Sequence, residues 1–92
     1  MKWRLRAGQT LRMLSADGES VIYNDNSGDT HLISEAAASL LQRLRQSDAD
    51  TASLVTACAA EWELEADEEL VAAIRDLLAE LDSLGLIEAY TP

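Results

Sequence analysis

SGDTHLISEAAASLL, residues 27–41, contains the point at which the periodicity of this chain changes. Before it, Asn24-Asp25-Asn26-Ser27-Gly28-Asp29 is a cluster of turn formers, and Thr30 to Ile33 reads as a short strand with β-branched residues at both ends. From Ser34 onward the apolar residues follow a helical pattern, with Ala37, Leu40, Leu41 and Leu44 at i, i+3, i+4 and i+7. Ser34 is placed to cap that helix. A period of two gives way to one of 3.6 at this residue and does not return before Gly85.

Toward the N-terminus, Thr10 to Leu14 and Ser20 to Tyr23 read as strands. They are joined through Ser15-Ala16-Asp17-Gly18-Glu19, whose Asp-Gly pair suits the positive φ angles of a hairpin turn. With Thr30 to Ile33 they predict a three-stranded antiparallel meander. Toward the C-terminus, the first helix runs to about Gln46 and Ser47 to Asp50 is a polar break. Asp50 or Thr51 can cap a second helix with Val55, Cys58, Ala59 and Trp62 on one face. A third helix spans about Glu68 to Leu84, capped by Asp67 and striped by Leu70, Ile74, Leu77, Leu81 and Leu84. Gly85 is placed to end it in the left-handed conformation, with Leu81 and Leu86 in the contact of a Schellman motif. Leu86 to Tyr90 reads as a brief extended tail. The expectation is an α+β fold, a three-stranded antiparallel β-meander followed by three helices, winged-helix-like.

The chain has 92 residues, of which 48% are hydrophobic with no Phe. That suits one domain, residues 1–92, with a core of aliphatic helices. Seventeen acids against seven bases give a net charge of −10, which offers a phosphate backbone no surplus cations. Nucleic acid is therefore excluded as a partner, and no apolar run approaches the roughly 20 residues that cross a bilayer, so no membrane is expected either. No signal-peptide segment stands at the N-terminus, and the expected location is cytoplasmic. The exception to the acidity is residues 1 to 12, which hold Lys2, Arg4, Arg6 and Arg12 and no acid. Residues 1–9 read as a basic arm in which Lys2, Arg4 and Arg6 alternate with Trp3 and Leu5. It is either a terminal strand folded back on its own acidic domain or a dedicated binding arm.

Chemistry-bearing motifs are scarce. His31 is the sole histidine and Cys58 the sole cysteine, which gives neither a metal cluster nor a redox pair. No G-x-S-x-G, Walker or G-x-G-x-x-G pattern occurs, so catalytic residues, cofactors and metals are all expected to be none. Cys58 reads as a small core residue, with no nearby cation in the sequence to stabilise a thiolate. Glu61, Glu63, Glu65, Asp67, Glu68 and Glu69 lack the oxygen spacing and bend glycine of a calcium loop and read as a solvated connection.

The third helix has more apolar arc than one contact needs. Its stripe covers about 80° at 100° per residue, while Val71 and Leu78 lie a further 40° to 60° around, with Arg75 just beyond. Either the sheet and two helices cover the whole arc, or the Val71 and Leu78 flank walls a groove with Arg75 at its rim. A short third strand nearby would offer unpaired backbone groups to an extended peptide.

Taken in order, three features resemble the PqqD-like family of peptide chaperones, also called RiPP recognition elements. They are the hairpin, the Ser27–Ile33 segment leading into Ser34–Leu41, and the closing Leu77–Ile87 stretch. Gly28-Asp29-Thr30-His31-Leu32 before an Ala-rich helix is similar to the branch associated with an HPr-kinase-related system. The resemblance implies a non-catalytic domain that binds the leader segment of a ribosomally made precursor peptide by strand addition and presents it to a peptide-modifying enzyme. It places that peptide between Thr30, His31, Leu32 and Ile33 on one side and Val71, Ile74, Arg75 and Leu78 on the other. The basic arm is less typical of the family; it packs as in the family, swaps between the protomers of a homodimer, or contacts a partner. The rival readings are an acidic winged-helix regulator and a structural protein-interaction subunit. The single Arg and five acids between Glu68 and Asp82 oppose a helix that reads the major groove.

Overall fold

The computed structural model describes residues 1–92. Its elements in chain order are β1 (Lys2–Leu5), β2 (Leu11–Ala16), β3 (Glu19–Asn24), β4 (Thr30–Ser34), α1 (Glu35–Gln46), α2 (Thr51–Trp62), α3 (Glu68–Ser83) and β5 (Ile87–Tyr90). β2, β3 and β4 form the antiparallel meander and the three helices follow it, so the α+β, winged-helix-like expectation holds. A second sheet, β1 paired with β5, is additional to it.

Local chemistry explains the meander. Asp17 and Gly18 have φ of 52° and 79° and sit between the paired residues Ala16 and Glu19. Two left-handed residues make a primed turn whose twist matches the strands, so pairing continues to the turn itself. The strands are accordingly longer there than the expected Leu14 and Ser20 boundaries. At the next corner the buried Asn24 side chain accepts from the N–H groups of Asn26 (3.0 Å) and Ser27 (3.4 Å). Its backbone C=O accepts from the N–H of Gly28 at 2.8 Å. This closed loop delivers the chain into β4.

Each helix begins on the residue that the sequence offers as its cap. Ser34 accepts from the Ala37 N–H (3.1 Å), Asp50 from Ser53 (2.7 Å) and Asp67 from Leu70 (2.9 Å). α3 ends in a full Schellman motif: the Leu86 N–H donates to the Leu81 C=O (3.1 Å) and the Gly85 N–H to the Asp82 C=O (2.9 Å). Gly85 has φ of 77°, the left-handed region open to glycine without penalty.

The core joins the inner face of the meander to all three helices, through Ile22, Ile33, Leu40, Leu41, Leu54, Ile74, Leu81 and Ile87 among others. α3 departs from its expected orientation. Its buried residues are Leu70, Ile74, Leu78 and Leu81, whereas Leu77 and Leu84 are only partly buried. The helix is rotated so that Leu78, expected on a partly exposed flank, faces inward between its contacts with α1, α2 and β5.

The basic arm and the C-terminal tail, which looked independent in sequence, are one structure. β1 runs antiparallel to β5 with Lys2 opposite Tyr90 and Leu5 opposite Ile87. On its other side Trp3 exchanges backbone hydrogen bonds with Ala49, at 2.8 and 3.2 Å. The Trp3 indole N–H donates to Thr51 Oγ1 at 3.1 Å. Arg4 pairs with Glu88 at 2.8 Å and lies 4.3 Å from the centre of the Tyr90 ring. The arm is folded back on its own acidic domain. No helix is long and apolar enough to cross a membrane.

Candidate functional site

β4 is the edge of its sheet, with β3 on one side only. The Asn24 N–H donates to the Asp29 C=O at 2.9 Å, and this sets the phase of the ladder beyond it. In antiparallel pairing alternate residues exchange both backbone bonds, so His31 and Ile33, opposite Ile22 and Ser20, turn theirs toward β3. The backbone groups of Thr30 and Leu32 therefore point away from the sheet. The sequence could supply the strand; only the register shows that Leu32 is the centre of its free edge.

Side chains on β4 alternate in the complementary sense. His31 is half-buried and Ile33 buried on the inner face, while Thr30 and Leu32 are exposed on the outer one. On α3, Val71 is half-buried, Arg75 is exposed, and Ile74 and Leu78 are enclosed in the core at 0% and 1% exposure. Val71 and Arg75 line a shallow recess of about 360 Å³ with Glu68, Ala72 and Asp76. The eight residues expected to form one groove thus divide. Ile33, Ile74 and Leu78 belong to the hydrophobic core and cannot line an open wall, because their side chains are already covered. His31 is half-buried on the inner face, Thr30, Leu32, Val71 and Arg75 remain on the surface, and the recess on α3 contains no β4 residue.

Residues 19–87 match the family described as Coenzyme PQQ synthesis protein D (PqqD). This chain belongs to the PqqD family. The match begins at β3 and ends on the first residue of β5, so both β4 and α3 lie within it. Among solved structures, the chain resembles that of "TbiB1 in Complex with the TbiA(beta) Leader Peptide", with a TM-score of 0.70 and 18% identity, covering 97% of this chain and 99% of that chain. At that identity the likeness is one of fold. Among curated proteins, none matches the sequence.

Within this PqqD-family chain the cations are unequally committed. Arg12 pairs with Asp25 at 2.8 Å and Arg43 with Glu61 at 3.0 Å, while Arg4 and Arg6 share Glu88. Arg75 has no ion pair, which leaves it available at the α3 recess. Cys58 is fully buried, and loss of solvation raises its thiol pKa. The Arg43 guanidinium opposes that rise, so a cation does lie near Cys58, contrary to the sequence expectation; burial outweighs it and the residue remains part of the core. His31 faces no partner set that could hold a metal.

A second, larger recess of about 510 Å³ lies under the opposite sheet edge, lined by Met13, Ser15, Gln42, Arg43 and Glu61 among others. Within it Glu61 accepts from both Arg43 and Ser39 at 3.0 Å, while Arg43 Nε is buried without a hydrogen-bond partner. Sequence inspection missed this recess because its residues come from four elements, β2, β3, α1 and α2, with no shared spacing. It also missed the exposed outer face of the meander, although strand alternation would have placed Leu14, Val21 and Leu32 together there.

Proposed function

We propose that this chain is a non-catalytic peptide chaperone: it takes up the leader segment of a ribosomally made precursor peptide as an added strand along β4 and presents it to a modifying enzyme. The observation that carries this reading is the free β4 edge, where Thr30 and Leu32 direct their backbone N–H and C=O groups into solvent within the part of the chain that matches the PqqD family. An extended peptide satisfies these groups, and side-chain contacts then select its sequence.

In this reading Thr30, His31, Leu32 and Ile33 supply the strand. Val71 and Arg75 supply the exposed wall, and Ile74 and Leu78 support that wall from beneath. The whole chain, residues 1–92, acts as one unit. A peptide bound to the solved relative is consistent with the proposal and extends it to a ligand class. The modifying enzyme meets a surface of net charge −10, which favours a basic docking face on that partner. The arm is engaged by its own β5, so a homodimer would need a different surface. A DNA-binding role is opposed by Glu68, Glu69, Asp76, Glu80 and Asp82 on or beside the face of α3.

The test is titration of isotope-labelled protein with the leader segments of precursor peptides encoded beside this chain. Amide shifts concentrated at residues 30–34 and 68–76 are expected. Shifts confined to the β2 edge or to the β1–β5 sheet would move the binding site elsewhere.

A further inference from the structure

Leu14, Val21 and Leu32 are cross-strand partners in one row across the meander, on the face turned away from the helices. Leu14 is 74% and Leu32 63% exposed, with Val21 half-buried between them. The row ends at Leu32, which is also the residue whose backbone N–H and C=O stand at the centre of the free edge. These two properties coincide at one position, and their combination constrains any strand added there.

We infer that Leu32, with Val21 beside it, forms a subsite for one apolar side chain of the bound peptide, on the face opposite the α3 recess. The inference rests on strand addition at β4 and specifies what that strand must carry. In either strand direction, the residue directly across from Leu32 projects its side chain to the same face as Leu32. If the strand runs antiparallel, that residue exchanges both hydrogen bonds with Leu32 at a Cα separation of about 5.5 Å, close enough for side-chain contact. The residues on either side of it project to the inner face.

The chemistry of the subsite follows from its neighbours. On β4 the outward side chains flanking Leu32 are Thr30 and Ser34, both uncharged. On β3, Val21 lies across from Leu32, with Tyr23 across from Thr30 and the acidic Glu19 across from Ser34, one strand further from the added peptide than Leu32 itself. The nearest outward cation, Arg12, is held by Asp25 and lies over the Tyr23 ring at 4.9 Å from its centre. A charged peptide residue at this position meets no opposite charge on β4, whereas an apolar one covers Leu32. The peptide is thus read on both faces, and its central segment carries adjacent apolar residues rather than a strict alternation of apolar and polar ones.

The experiment selects random dodecapeptides displayed on phage against the immobilised wild-type chain. The best binder is synthesised, and its register is fixed by amide contacts to residues 30–34 in NMR spectra. Its residue across from Leu32 is then replaced by Lys. On wild type this replacement is expected to lower affinity about fivefold, the scale of one cross-strand pair. On Leu32→Glu the preference should invert, with the Lys peptide binding more tightly than its apolar parent. Leu32→Thr keeps strand propensity and should abolish the preference without inverting it, while Leu14→Glu, two strands away, should bind both peptides as wild type does. If the Lys peptide binds wild type within about twofold of its parent while the amides of residues 30–34 still shift, the subsite is wrong and strand addition stands. If no binder is selected, or the shifts lie elsewhere, strand addition itself fails.

Discussion

Arg75 and Leu78 are three positions apart on α3 and differ completely in what a substitution there can report. Leu78 is 1% exposed, so Leu78→Asp would place an unpaired charge in the core and cost more than about 3 kcal/mol. The expected outcome is a collapsed thermal transition, and any loss of peptide binding would only reflect loss of the fold. Arg75→Glu changes an exposed, unpaired side chain. It should leave the melting temperature nearly unchanged and weaken binding of an acidic peptide by up to about fivefold at low salt, with the difference shrinking as salt is added. Calorimetric titration at two ionic strengths measures both effects. A second residue has no sequence signal at all. Glu63 ends α2 in the left-handed region, at φ 54°, and the N–H of Leu64 reaches back to the C=O of Ala59 at 2.9 Å. That place is usually taken by glycine, and an acidic run disguised it as an ordinary solvated connection. Glu63→Gly should therefore raise stability by about 0.5–1 kcal/mol, seen as a rise of a few degrees in thermal melts.

At the scale of elements, the caps, the Asp17-Gly18 turn and the Schellman motif were legible because each depends on residues within one turn of chain. The strands and helices were legible for the same reason. The pairing of β1 with β5 was not, since Arg4 and Glu88 are 84 positions apart and no local pattern records which distant strand a short segment will meet. The orientation of α3 fell between these cases. Its apolar arc could be read, but which part of that arc faces inward depends on α1, α2 and β5 together. α2 yields the prediction at this scale. Hydrogen bonds from the Ser53 backbone and side chain lower the Asp50 pKa at its start, and hydrogen bonds from Arg43 and Ser39 lower that of Glu61 near its end. A carboxylate whose folded pKa is depressed stabilises the fold above its unfolded pKa and loses that contribution as pH falls through the folded value. Their ordinary values are 3.8 and 4.5, so α2 should begin to loosen at or below those pH values. Hydrogen exchange at about pH 3, compared with pH 6, should show protection lost at residues 51–62 before it is lost in α3. Equal loss in both helices would mean that these two carboxylates do not control α2.

Across the whole molecule, the basic arm decides whether one face or two serve the partner. Its Arg4 and Arg6 are answered by the chain's own Glu88, and its apolar residues Trp3 and Leu5 pack against the core. The meander edge at β4, in contrast, pairs with β3 alone. An arm that is purely structural should separate stability from binding. Trp3→Ala removes a partly buried aromatic and its hydrogen bond to Thr51, and should cost about 2–3 kcal/mol while leaving peptide affinity unchanged at temperatures where the variant is folded. Replacing Arg4 and Arg6 by Gln removes two exposed ion pairs, each worth no more than about 1 kcal/mol. That variant should change neither peptide affinity nor its salt dependence. Melting curves and peptide titrations on the same two variants separate the cases. If the Gln variant keeps its stability but binds peptide several-fold more weakly, the arm contacts the ligand, and the binding surface extends from β4 to the second sheet.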